Sequence, residues 1–233
     1  MIWPACKKAF KKDRVMTDFG HIAADQMDKA LFSALWSALD QKPLGAVSLE
    51  QLADEAGLAL TDLYVRYADS NAVLLAAMRA LDAAALRQSA DDFADVPEAT
   101  VHEKLLEGLI SRFELYAPLK VQMMAVHGAA QRNPVLAACL LAILADMTNR
   151  LLSLCGDEVT GWRRQARIKG IVAVLLRVRP VWQSDDTADL SLTLSSLDKE
   201  LRRAAEWAVS FRVLDAADLD DAVAPQTSKQ EPV

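Results

Sequence analysis

Cysteine is scarce in this chain. Three occur in 233 residues, Cys6, Cys139 and Cys155. They form no C-x-x-C pair and no metal-ligand spacing, so neither a disulfide framework nor a thiolate metal site is expected, and the sparse, odd count suits a reducing cytoplasm. Glycine and proline are also few, at eight each. Alanine and leucine dominate instead, which favours helix over strand. Positive charge is in deficit: the formal net charge is −6, so the molecule as a whole is not a nucleic-acid coat. No apolar run reaches the ~18 residues of a membrane span. The longest candidate, Pro134–Leu144, is too short, and Gly20–Ala24 makes no signal-peptide core behind Lys7, Lys8, Lys11 and Lys12. No span is expected, and a cytoplasmic location is. Catalytic signatures are missing too. No G-x-G-x-x-G or P-loop opens a helix, there is no H-E-x-x-H or G-x-S-x-G, and the three histidines are far apart. The expectation is a protein that is not an enzyme and carries no cofactor and no metal.

What is present is helical periodicity. Ala30, Leu31, Ala34, Leu35 and Ala38 make the buried stripe of a first helix over about 25–40, which Lys42-Pro43-Leu44-Gly45 breaks. Ser48 stands three residues before Gln51, a capping box in which hydroxyl and amide each satisfy an orphan backbone N–H. Leu49, Leu52, Ala53 and Ala56 then share one face, and Gly57 takes a left-handed C-terminal position. A short second helix follows from about Ala59 to Tyr67. Two helices joined by a tight glycine turn make a helix-turn-helix, which presents its second helix to the DNA major groove.

Downstream, Asp69 or Ser70 caps a long helix to about Phe93, and Asp91–Ala99 reads as a linker. Thr100 and Glu103 form a second capping box for a helix to Tyr116. Pro118 opens a helix to about Gln131. Asn133-Pro134 is an N-cap followed by a first-turn proline, and it starts an apolar helix to about Cys155-Gly156. Thr160 caps a helix to about Arg179, which Pro180 stops or kinks. The last helix runs from about Asp189 to Val213. The fold class is therefore all-α, with about nine helices. The expected division is a flexible basic N-terminal arm (1–24), a helix-turn-helix unit (25–78), a C-terminal helical bundle (99–213) and a disordered acidic tail (214–233).

The stretch Ala56-Gly57, Leu60–Leu63, Tyr64, Tyr67 and Asp69-Ser70 resembles the DNA-binding unit of the TetR family of bacterial transcriptional regulators. That family's pattern is an Ala-Gly turn, a short recognition helix, a Tyr, an aromatic three residues on and a fresh helix start. The match covers about residues 27–78; beyond it, size and helical pattern agree. The resemblance implies a TetR-like fold, a homodimer, operator DNA as partner and a small apolar ligand held by the bundle. Carried over by residue, Ser48 would meet a phosphate with its helix N-terminus. Thr61 and Asp62 would face the groove, and Tyr64 would reach a phosphate or base. Arg66 and Ser70 complete the set. Three positions depart from the pattern: Ser70 stands where Lys is usual, Leu60 where a basic or small polar residue is usual, and Asp62 directs a carboxylate at a polyanion unless it accepts from a cytosine amino group. Across 48–72, five acids (Glu50, Asp54, Glu55, Asp62, Asp69) face one base, Arg66. The N-terminal arm, with Lys11 and Lys12 among its bases, can offset this by lying along DNA.

In the bundle, Met123, Met124, His127, Met147, Trp162 and Arg177 are the candidates for lining a ligand cavity, although methionine more often simply fills a core. Arg163, Arg164, Arg167 and Lys169 form either a face paired with neighbouring acids or a docking surface for an anionic partner. An alternative reading comes from the C-terminal half. Val181-Trp182, the acidic Asp185-Asp186 loop and a helix carrying Leu197-Asp198 are similar to the corresponding stretch of the ubiquinone-biosynthesis lipid-binding proteins. That resemblance implies the same fold with DNA binding lost and a lipid or isoprenoid as ligand.

Overall fold

The computed structural model describes residues 26–210. The expected basic arm, with Lys11 and Lys12, and the expected acidic tail lie outside the described residues. Those described form α1 (Gln26–Gln41), α2 (Leu49–Ala56), α3 (Leu60–Arg66), α4 (Ser70–Ala94), α5 (Val101–Tyr116), α6 (Lys120–Arg132), α7 (Pro134–Leu154), α8 (Gly161–Ser184) and α9 (Ser191–Ser210). Short 3₁₀ turns at Leu44–Ala46 and Ala117–Leu119 precede α2 and α6. There is no strand among the described residues, so the all-α expectation holds.

Local chemistry sets most of the boundaries. The Ser48 and Thr100 capping boxes are both formed. Asp69 caps α4 by accepting from Ala72 N at 2.8 Å, and Asn133 Oδ1 accepts from Val135 N and Leu136 N at 3.1 Å, with Pro134 at the first helical position. Three expectations need correction. The 91–99 linker is shorter, because α4 continues to Ala94, drawn on by Phe93, which is buried. Thr160 holds the cap position of α8 without a side-chain bond. The α8 start is instead pinned from behind: Arg164 reaches Asn149 Oδ1 at 2.9 Å and the nearly buried Asp157 carboxylate at 3.2 Å, and Arg167 reaches the same carboxylate at 2.8 Å.

The third correction concerns Pro180, which neither stops nor ends α8; the helix runs through it to Ser184. Proline removes one N–H and leaves the carbonyl four residues back unpaired. That carbonyl belongs to Leu176, an exposed residue, so water can satisfy it. The final turn is held by Trp182, which is 2% exposed. Its Nε1 donates to Phe113 O at 3.1 Å and its ring lies 5.7 Å from that of Phe113.

The core is continuous from Leu31 to Leu201. Helix α7 packs against α4, α5, α6 and α8, which makes it the central helix its apolar composition suggested. It is also long and apolar enough, by length and composition, to cross a membrane (mean hydropathy 1.7, with 33% of that window buried). The apolar run Pro134–Leu144 stops short of Asp146 and Arg150, which the helix includes. Those two charges pair with each other at 2.9 Å on one exposed face, so the helix tolerates them. Helix α5 crosses α7 at Gly108, where a Cβ would stand 2.5 Å from Leu151 Cδ1. A glycine is what lets these two backbones approach.

Candidate nucleic-acid interface

Helices α1, α2 and α3 form the unit that carries the candidate interface. Ser48 Oγ accepts from Gln51 N and Gln51 Oε1 accepts from Ser48 N, both at 3.3 Å. Lys42 Nζ adds a bond to the same Gln51 oxygen at 2.7 Å, which ties the α1–α2 connection to the start of α2. At the other end Gly57 has φ 67°. Its N–H reaches Asp54 O and the N–H of Leu58 reaches Ala53 O, the paired bonds of a Schellman close. The turn therefore has one geometry, and α3 leaves it at a fixed angle.

Helix α3 is anchored by Leu63, 0% exposed, with Leu60 and Tyr67 packed against the core. Its other side is open. Thr61, Asp62, Tyr64, Val65 and Arg66 are exposed, Val65 at 87% and Tyr64 at 54%. The one anchored face dictates the other, because a seven-residue helix has room for only one buried stripe.

Two contacts on this surface link residues far apart in sequence. Asp28 on α1 takes Arg66 Nη1 at 3.0 Å and the Tyr67 hydroxyl at 2.9 Å, clamping the end of α3 to α1. Tyr64 donates its hydroxyl to Glu50 at the start of α2. That hydrogen bond holds the Glu50 carboxyl below its usual range and raises the Tyr64 phenol above its own. Sequence reasoning missed Asp28 and Lys42 as parts of this surface, and it counted Glu50 among the acids there without its bond to Tyr64. The signal for Glu50 was its place beside the capping box; Asp28 offered none.

The sequence-derived DNA set is thus brought together in the case of Ser48, Thr61, Asp62, Tyr64 and Arg66. Ser70 sits half-buried one turn further, where Asp69 rather than Ser70 caps α4. Ser48 uses its hydroxyl inside the capping box, so only backbone N–H groups at the start of α2 are left to meet an anion. The sign of the surface stays acidic, since Arg66 is paired.

The six ligand candidates do not converge on one chamber. Met123 and Met147 are buried in the core. Met124 and Trp162 are exposed, at 56% and 64%, on different helices. Arg177 is exposed and pairs with Glu200 at 3.3 Å. His127 faces Arg179, whose Nη1 lies 2.7 Å from Nδ1. Burial, and then the Arg179 charge, lower its pKa. Arg179 has no carboxylate partner among the described residues, and its Nε is buried without a hydrogen bond.

No family model and no curated protein sequence matches the chain. Solved structures do. A proposed transcriptional regulator from Pseudomonas aeruginosa PAO1 superposes with TM-score 0.53 at 14% identity, over 84% of this chain and 98% of that one. A proposed TetR-family transcriptional regulator from Rhodococcus sp. gives TM-score 0.53 at 14% identity, over 76% of this chain and 100% of that one. The chain has a TetR-like fold. In that fold α2 and α3 stand as the helix-turn-helix, α4 as the connecting helix, and α5–α9 as the bundle behind it.

Proposed function

We propose that this TetR-like chain is a homodimeric, DNA-binding transcriptional regulator acting in the cytoplasm, with residues 25–78 as its DNA-binding unit and 99–213 as its ligand-binding and dimerisation bundle. The observation that carries this is α3: a short helix rigidly held on one face by Leu63 and at its end by Asp28, presenting Thr61, Asp62, Tyr64 and Val65 outward. In the major groove Asp62 accepts from a cytosine amino group, Thr61 adapts to either partner, and Val65 packs on a thymine methyl. Tyr64 exchanges Glu50 for a phosphate. The supporting surface for a dimer is on α8, where Trp162, Ala166, Lys169, Ala173 and Leu176 recur at alternating steps of four and three and are open or half-open to solvent. Exposed Leu192 and Trp207 stand on the neighbouring α9. A two-fold contact through such a stripe holds two recognition helices at a fixed spacing.

The test is fluorescence anisotropy on DNA flanking the chain's own gene, against random DNA, across a salt series. The expected result is a preference of ~10³ or more over random DNA, with a shallow salt slope of about −0.9 for each phosphate contacted. A slope near zero with no preference would reject the proposal. One observation favours a second reading, a binding protein of this fold that has given up DNA for a lipid or isoprenoid. The only base between Ser48 and Ala72 is paired with Asp28, and the tyrosine aimed at phosphate is tied to Glu50. Copurified lipid in native mass spectrometry, with the DNA result negative, supports that reading.

A further inference from the structure

A cleft of about 340 Å³ opens where the α1–α2 connection meets the α6–α7 corner. It combines elements from both parts of the fold. Leu44 and Gly45 come from the turn that leads into the helix-turn-helix, and Asn71 from the first turn of α4. The opposite wall is Met124, Ala125, Gly128 and Ala129 of α6, with Leu136 of α7. The floor is made of small residues, which is why there is space. The walls are apolar apart from Asn71, whose Nδ2 donates to Asp69 at 3.2 Å. The polar edge is the adjacent pair Arg132 and Asn133.

The edge has unspent hydrogen-bonding capacity. Arg132 is exposed and is tied to no described residue by a hydrogen bond or ion pair, in a chain whose net charge is −6. Its guanidinium folds back along α6, with Nη2 3.6 Å from where a Gly128 Cβ would sit. Asn133 commits its Oδ1 to Val135 N and Leu136 N, which leaves its amide Nδ2 as a second donor. A forked cation beside an amide donor, above an apolar trough, matches a planar carboxylate carrying a compact apolar body. The volume is at the lower end of the range for small-molecule sites, which restricts the body to a single ring or a short acyl chain.

We infer that this cleft is a binding site for a small amphipathic carboxylate, bound by Arg132 and Asn133 with its apolar part against Leu44, Met124 and Leu136. Because both walls must hold their spacing around the ligand, occupancy fixes how the helix-turn-helix sits on the bundle. The regulatory half of the inference rests on the DNA-binding reading; the binding half does not.

Calorimetry on the full chain separates the two. The probes are benzoate and hexanoate, with benzyl alcohol and 1-hexanol as neutral counterparts. The acids should bind, and the alcohols at least tenfold more weakly. Arg132→Gln should weaken the acids at least tenfold. Gly128→Leu, which fills the trough from a helical position with no backbone clash, should abolish binding. Melting curves of both variants confirm that they are folded. No binding of either acid, or equal affinity in the parent and both variants, overturns the site. On operator DNA, saturating benzoate should shift the binding midpoint of the parent at least threefold and leave that of Arg132→Gln unmoved. An unchanged parent midpoint overturns the coupling. A chain that never binds DNA removes the regulatory reading while the calorimetric result still decides the site.

Discussion

Replacing Arg112 by Met tests how α4, the helix running from the recognition unit into the bundle, is fastened there. Asp82 on α4 is 3% exposed, and Arg112 and Tyr116 on α5 are 9% and 4% exposed. Arg112 Nε donates to Asp82 Oδ1 at 2.7 Å, the Tyr116 hydroxyl donates to the same oxygen at 2.7 Å, and the guanidinium lies 4.3 Å from the Tyr116 ring centroid. Burial opposes the guanidinium's charge, yet the carboxylate beside it leaves its pKa raised. Burial also pushes the Tyr116 phenol well above its usual value. Asp82 Oδ2 has no partner, so the carboxylate depends on Arg112 for compensation. Arg112→Met strands that charge and should cost about 3–5 kcal/mol, as for other buried pairs broken on one side. At about 2–4 °C per kcal/mol for a chain of this size, the melting temperature falls by roughly 6–20 °C. The double variant Asp82→Leu/Arg112→Met removes both charges and should recover most of the loss, because desolvating an ion pair offsets much of its attraction. Tyr116→Phe removes the hydroxyl that donates to Asp82 Oδ1 at 2.7 Å and accepts from Arg112 Nη2 at 3.2 Å; it should cost at least the ~1.5–3 kcal/mol of one bond to a charged group. Urea denaturation of the parent, Asp82→Leu, Arg112→Met and the double variant gives the coupling directly. A loss below about 1 kcal/mol for Arg112→Met, or a double variant no better than the single, would refute the reasoning.

Other predictions follow from single sites. Gly57→Ala puts a Cβ on a left-handed residue with no steric neighbour, so only backbone strain acts. Urea titration should show a loss of about 1 kcal/mol, with Gly57→Asn losing less. His127 has a lowered pKa in the fold, through burial and Arg179; its neutral form therefore adds stability above the unfolded value near ~6.5, and that part is lost as pH falls through the folded value. The denaturation midpoint of the parent should drop more between pH 7.5 and 5 than that of His127→Asn. The Cys155 thiol is pushed up to about 12 by burial. It should resist a disulfide reagent at pH 8 until denaturant is added, read by peptide mass mapping.

The chain's own order of residues determined whatever depends on near neighbours. The Ser48, Asp69, Thr100 and Asn133 caps, the Gly57 turn and the helical stripes all rest on contacts within a few positions, so the all-α architecture and the helix-turn-helix were readable directly. Part of the surface was readable too: Thr61, Asp62 and Tyr64 had to face out once Leu63 faced in. Tertiary structure alone decided the rest, because the partners lie far apart along the chain. Arg66 meets Asp28 across 38 positions, Arg112 meets Asp82 across 30, and Trp182 reaches Phe113 across 69, which lets α8 pass through Pro180. The ligand candidates Met123, Met147 and Trp162 stand on three different helices, and nothing local could say that the two methionines would be core and the tryptophan exposed. The Arg132 cleft exists only because three separated segments are packed side by side.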